Sequence, residues 1–134
     1  MLNSIGVGGV TGFLALDTTN QQIVLSFRGS RTLENWIDDL AVLPTSISNI
    51  CSGCDAHLGF WESWQSVSDT ITPHINTAVA QYPSYNLVIT GHSLGAALAT
   101  IAATALRVAG HKIDLVSTAH VLADTILREE SLIR

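Results

Sequence analysis

Three observations predict an α/β fold with a mainly parallel sheet and covering helices. Between residues 22 and 117, apolar and β-branched runs alternate with segments of helical period in the order strand, helix, strand, helix, strand. Parallel strands cannot be joined by a tight turn, so each crossover carries a helix and this alternation is their signature. The run Leu87-Val88-Ile89-Thr90 passes through Gly91-His92-Ser93-Leu94-Gly95 straight into an Ala-rich stretch, a strand–turn–helix junction with glycines on both sides of a serine. With 47% hydrophobic and 13% charged residues, the 134-residue chain has the composition and length of one globular domain with a single core.

Residues 10–16 and 22–28 read as strands, joined by a hairpin turn over the polar Asp17-Thr18-Thr19-Asn20-Gln21. Gly29-Ser30 ends the second strand. Residues 32–40 then place Leu33, Trp36, Ile37 and Leu40 on one helical face and Glu34, Asn35, Asp38 and Asp39 on the other, a short amphipathic helix. Residues 44–55, rich in Ser, Gly, Pro and Cys, read as a loop. Phe60, Trp64, Val67, Ile71, Ile75 and Val79 recur at helical spacing, so a long helix is expected over residues 59 to about 81, with Pro73 a candidate kink. Residues 96–109 are apolar nearly all round, which predicts a buried helix stopped by Gly110 at its C′ position, and residues 112–117 form a further strand. The apolar residues 1–16 lack the charged segment and cleavage site of a signal peptide and are expected to belong to the fold.

The glycines around Ser93 give the junction a chemical meaning. In a nucleophile elbow the serine sits on a strained turn with its Oγ exposed, and flanking glycines let strand and helix approach closely. Ser93 is therefore the candidate nucleophile of a serine esterase. The N–H of Leu94, at the start of the following helix, is a candidate oxyanion donor. Ser30, on the loop after another strand, offers a second donor through its N–H and hydroxyl, and would alternatively cap the helix that follows it. A serine hydroxyl is a weak nucleophile unless a His base, itself held by an acid, takes its proton. In this architecture the acid and then the base follow the serine. Of the five histidines, His57 and His74 precede Ser93, His92 lies in the turn itself, and His111 and His120 have no context that marks them as a base. A pairing of His120 with Asp114 or Asp124 is disfavoured, because Asp114 is expected within a strand.

By pattern alone, the stripe Leu33, Trp36, Ile37 and Leu40 reads as core packing. Beside an esterase site it also reads as a mobile lid that exposes apolar surface at a lipid interface. Cys51-Ser52-Gly53-Cys54 is too poor in ligands for a structural zinc and sits in a polar loop, unlike a thioredoxin-type redox pair. A disulfide closing a small loop fits best, stabilising by less than about 2 kcal/mol and implying an oxidising compartment. Neither a metal nor a cofactor is expected. The net charge of −5, with no basic stripe, argues against nucleic acid or an anionic membrane as partner. The longest nearly apolar run, residues 94–106, is broken by Thr100 and Thr104 and is shorter than the ~20 residues of a transmembrane segment. No oligomeric state is predicted.

The segments GGVTGFLALDTTN, IVLSFRGSRTLENWIDDL, CSGC followed by HLGFWESW, and VITGHSLGAALAT together resemble, in this order, the class 3 lipases of filamentous fungi over about residues 9–117. The resemblance implies the α/β-hydrolase fold and a secreted serine carboxylic ester hydrolase. Such an enzyme acts on acylglycerols at an oil–water interface through an acyl-enzyme. Residue by residue, Ser93 matches the nucleophile and Ser30 and Leu94 match the oxyanion hole. Residues 31 to about 40 match the lid, with Leu33, Trp36, Ile37 and Leu40 on its apolar face, and Cys51 and Cys54 match a disulfide. Feruloyl esterases form a related branch with a more polar lid, so the apolar stripe favours a lipase.

Residues 118–134 depart from the family pattern as a divergent tail. The family continues the last strand into Tyr-Gly-Ala-Pro-Arg-Val-Gly and places its catalytic Asp and His beyond it. Neither residue has a counterpart here. Loss of one base from codons for Tyr-Gly-Ala would account for Thr118-Ala119-His120. The expectation is thus a single partial domain over residues 1–134, incomplete at its C-terminus: a truncated lipase, inactive as this chain. The alternative is a noncatalytic lipid-binding fragment.

Overall fold

The computed structural model describes residues 3–7, 10–28, 44–50, 52–92 and 94–119. In chain order these form β1 (Asn3–Val7), β2 (Val10–Asp17), β3 (Gln22–Phe27), β4 (Pro44–Ser46), β5 (Asp55–His57), α1 (Leu58–Gln81), β6 (Asn86–His92), α2 (Leu94–Val108) and β7 (Leu115–Ala119). One five-stranded sheet has the order β1-β2-β3-β6-β7, and β4 and β5 make a separate two-stranded ribbon. The sheet is mixed. It is parallel at β3-β6-β7, where a helix lies between successive strands, and antiparallel at β1-β2-β3, where the chain turns tightly.

The hairpin between β2 and β3 forms where the polar turn predicts it. Asp17 accepts from the Asn20 N–H at 3.1 Å and from the Asn20 side-chain amide at 2.7 Å, and Gln21 takes up the left-handed backbone at φ 55°. Strand β3 alternates, with Ile23, Leu25 and Phe27 buried and Gln22, Val24 and Ser26 half-buried. Ile23, Leu25 and Phe27 join Leu14, Leu87 and Ile89 on the face that the two helices cover.

Helix α1 buries Phe60, Trp64, Val67, Ile71 and Ile75, as their spacing predicts, together with Trp61 and Ala78, whereas Val79, expected on the same face, is half-buried; the helix continues through Pro73. Pro73 sits on the exposed side, and Asp69, whose carbonyl loses its helical donor because Pro73 has no N–H, is exposed as well. Helix α2 is buried nearly all round, packing against β3, β6, β7 and α1. Its end is the one expected. Gly110 stands at φ 100°, its N–H donates to the Arg107 carbonyl at 3.0 Å, and His111 N–H donates to Leu106 at 2.9 Å, the paired bonds of a Schellman cap.

Three features differ from the sequence reading. Residues 3–7 add a strand, β1, antiparallel to β2. Within residues 44–55, read as loop from composition, β4 pairs with β5, and Ile47 N–H donates to the Cys54 carbonyl at 2.9 Å beyond the last pair. Strand β7 begins at Leu115 and not at residue 112. The reason is Asp114, which lies ahead of the strand. Its N–H donates to the Leu87 carbonyl at 3.0 Å, and its carboxylate accepts the Leu87 N–H at 2.9 Å. A side chain thus supplies the acceptor that a strand carbonyl would have supplied.

Two outcomes follow. Leu87 is 2% exposed, so Asp114→Ala, which removes the acceptor of its N–H, is expected to cost about 1–3 kcal/mol, read from urea unfolding. The side-chain amide of Asn20, followed by its N–H, holds the Asp17 carboxyl below its ordinary 3.8. A depressed folded value contributes stability that is present above pH 3.8 and is lost as pH falls through the lowered value. Asn20→Ala is expected to raise the Asp17 midpoint toward 3.8 in a carboxyl-carbon NMR titration.

Candidate active site

The parallel register sets the site. Phe27 of β3 pairs with Gly91 of β6, so the two strands leave the sheet side by side at its carboxyl edge. The next residues along β3 are Arg28-Gly29-Ser30, and along β6 they are His92-Ser93-Leu94. Ligand sites of open α/β sheets form at this edge, outside the carboxyl ends of the strands.

Local packing explains the glycines. A Cβ on Gly91 would meet the Gly95 carbonyl and lie 2.7 Å from the Ala96 nitrogen, so β6 and the first turn of α2 fold onto each other too tightly for any side chain. A Cβ on Gly95 would meet the Phe27 carbonyl oxygen and lie 2.9 Å from its carbon and 3.1 Å from the Arg28 carbonyl carbon. Every one of these neighbours is backbone, which cannot swing aside as a flexible side chain would. Helix α2 therefore starts pressed against the end of β3. The junction is the sharp strand-to-helix turn that the motif requires, ending with Leu94 as the first helical residue.

The end of β3 is held from other sides as well. Phe27 is 2% exposed and forms a T-shaped pair with Trp64 on α1, with ring centroids 6.5 Å apart and planes at 83°. Arg28 N–H donates to the Thr11 carbonyl of β2 at 2.8 Å.

Ser93, Ser30, the helix expected over residues 32–40 with Leu33, Trp36, Ile37 and Leu40, and Cys51 lie outside the described residues, as do His120 and Asp124. Cys54 is buried and disulfide-bonded, at the base of the β4–β5 turn where Gly53 adopts φ 77°. His92 is exposed at the end of β6, and His74 is exposed on α1. Asp114 does not reach the elbow. Its carboxylate is bound at Leu87, and the five residues from there to His92 at the end of β6 span about 17 Å of extended strand. Among the described residues, no group of three or more His, Cys, Asp or Glu could hold a metal, and no helix is long and apolar enough to cross a membrane.

A mixed sheet with covering helices and a glycine-flanked serine turn at its carboxyl edge defines an α/β-hydrolase. Residues 24–123 match the family Lipase (class 3), and the chain belongs to that family. It is 50% identical over 100 residues to secreted mono- and diacylglycerol lipase A of Penicillium cyclopium, covering 75% of this chain and 32% of that protein. The solved triacylglyceride lipase of Rhizomucor miehei is 30% identical, with a TM-score of 0.78 over 87% of this chain and 47% of that one. A triacylglycerol lipase whose catalytic centre is a serine protease triad is 30% identical, with a TM-score of 0.79 over 85% of this chain and 44% of that one. The chain thus spans about a third of the length of the curated relative, at 32%, and less than half of the two solved ones.

The contact of Gly95 with the Phe27–Arg28 peptide gives a direct outcome. Gly95→Ala forces a methyl into fixed backbone and is expected to lower stability by at least about 1–3 kcal/mol in urea unfolding.

Proposed function

We propose that this chain carries the nucleophile half of a serine carboxylic ester hydrolase acting on acylglycerols, with Ser93 forming the acyl-enzyme. The elbow carries the reading: Gly91 and Gly95 are spaced for a turn that no other residue fits, and the serine stands between them. Ser93 Oγ attacks the ester carbonyl, its proton passes to a base, and the tetrahedral oxyanion is held by donors at the carboxyl edge. The N–H of Leu94 is one such donor, because it opens α2 and lies where the helix dipole favours negative charge. Ser30 is the other, three residues beyond Phe27, which pairs with Gly91.

Leu33, Trp36, Ile37 and Leu40 act as the apolar face of a lid toward the lipid surface. Cys51 is the partner of Cys54. The name of the Penicillium relative supports mono- and diacylglycerols as the substrate class and an extracellular setting, and the disulfide agrees with an oxidising compartment. No residue of these 134 matches the family's catalytic Asp and His.

A chimera joining residues 1–117 to the remaining chain of the Penicillium relative tests the reading. It is expected to hydrolyse a diacylglycerol, and Ser93→Ala is expected to lower kcat by about 10⁴–10⁶-fold. A folded chimera with no esterase activity, or with activity indifferent to Ser93, overturns it. The 134-residue chain itself is expected to show little or no labelling by a fluorophosphonate probe, because an unactivated serine hydroxyl is a weak nucleophile.

A further inference from the structure

We propose that the face of the sheet turned away from the helices is a docking surface for a second copy of this chain, packed on it about a two-fold axis with its strands antiparallel to those of the first. Successive residues of a strand point to opposite faces, so the register fixes what this face presents. Helices α1 and α2 and the β4–β5 ribbon all contribute to the core cluster with Leu14, Leu25, Phe27 and Ile89, and none of the described elements is left for the other face. There, Asp17 of β2, Gln22 of β3 and Asn86 of β6 form a row at the amino end of β3 and β6. Ala15, Val24 and Val88 form the next row, and Phe13, Ser26 and Thr90 the one after it. Thr11, Arg28 and His92 follow at the carboxyl end, where the Arg28 N–H donates to the Thr11 carbonyl.

The two middle rows are apolar except for the hydroxyls of Ser26 and Thr90. Phe13 is 37% exposed, a large apolar side chain open to solvent, and Ala15 and Val24 are half-buried. The two ends carry opposite charge. Arg28, exposed, and His92 stand at the carboxyl end. Asp17, whose carboxylate takes two donors from Asn20, stands at the amino end, six residues of strand or about 20 Å away. A copy laid on with its strands parallel would bring like ends together. A two-fold axis across the strands instead sets Arg28 and His92 of each copy over the Asp17 row of the other, and sets the row of Ala15, Val24 and Val88 against that of Phe13, Ser26 and Thr90. This is the self-complementarity of an isologous interface, with charge choosing the orientation.

The geometry is that of two sheets stacked about 10 Å apart with strand directions within about 30° of each other. Five strands spaced about 4.8 Å apart and about 20 Å long offer roughly 500 Å² per copy, at the lower limit of about 1,000 Å² in total for a specific interface. The dimer is therefore a reversible one, and the two hydroxyls let the same face meet water in the monomer. Sedimentation equilibrium of the 134-residue chain is expected to show a monomer–dimer exchange with a Kd in the micromolar range that rises with salt, because the end contacts are charged and exposed. Phe13→Glu and Arg28→Glu are each expected to raise that Kd by about tenfold or more. Ser26→Cys, near the axis, is expected to cross-link two copies through a short bismaleimide, whereas Asn76→Cys on the exposed side of α1 is not.

Monomers throughout the micromolar range overturn the proposal, and binding of such monomers to phosphatidylcholine vesicles that is lost in Phe13→Glu assigns the face to lipid instead. A dimer that both glutamate variants leave intact also overturns it, as does cross-linking through Asn76→Cys in place of Ser26→Cys. Should Phe13→Glu fail to fold by far-ultraviolet circular dichroism, Arg28→Glu decides, because its side chain is exposed and its bond to Thr11 is made by the backbone.

Discussion

The arrangement of this domain depends on one close backbone contact, that of Gly95 against the Phe27–Arg28 peptide. Strands β3 and β6 are hydrogen-bonded neighbours, so their ends are already side by side. What the contact adds is the position of α2, whose first turn is seated on the end of β3 and not merely beside β6. From that point the helix runs back over the sheet within van der Waals distance. Five of its buried residues are small, Ala96, Ala97, Ala99, Ala102 and Ala103, beside the larger Leu98, Ile101 and Leu106.

The same closeness explains how polar groups survive inside. Thr104 is buried, yet its hydroxyl donates to the Thr100 carbonyl at 2.9 Å, and Thr100 donates to Ala96 at 2.9 Å. Each hydroxyl is satisfied within its own helix, so neither demands a partner from the sheet. At the opposite end of β6, the Asp114 carboxylate performs a comparable service for the Leu87 N–H. The strand is thereby anchored at its start by a side chain and at its finish by a glycine turn. Between them, Leu87 and Ile89 pack into the main core, and Val88 is buried from the other face of the strand.

Much of this was legible in advance, and the reasons are physical. The stripe of α1, the hairpin turn at Asp17 to Gln21 and the Gly110 cap all rest on local rules of period, turn chemistry and left-handed backbone, and all appear as expected. Strand β1 and the β4–β5 ribbon were not legible, because segments of three to five residues rich in small and polar types carry little strand preference of their own and are strands only through their pairing. Asp114 was read as part of a strand, since its neighbours are apolar. Only the presence of Leu87 across the gap turns it into a cap.

For the site, the division falls along the same line. The sequence by itself determined the elbow, because two glycines around a serine between a strand and a helix are a local steric requirement, and it determined the family, because several long segments occur in the right order. Only the tertiary structure decided which backbone each glycine makes room for. It also decided that Trp64 meets Phe27 and that Asp114 stands at the wrong end of β6 to serve the elbow. These are contacts between segments far apart in the chain. They follow from strand order and register, quantities to which no single segment's composition is sensitive.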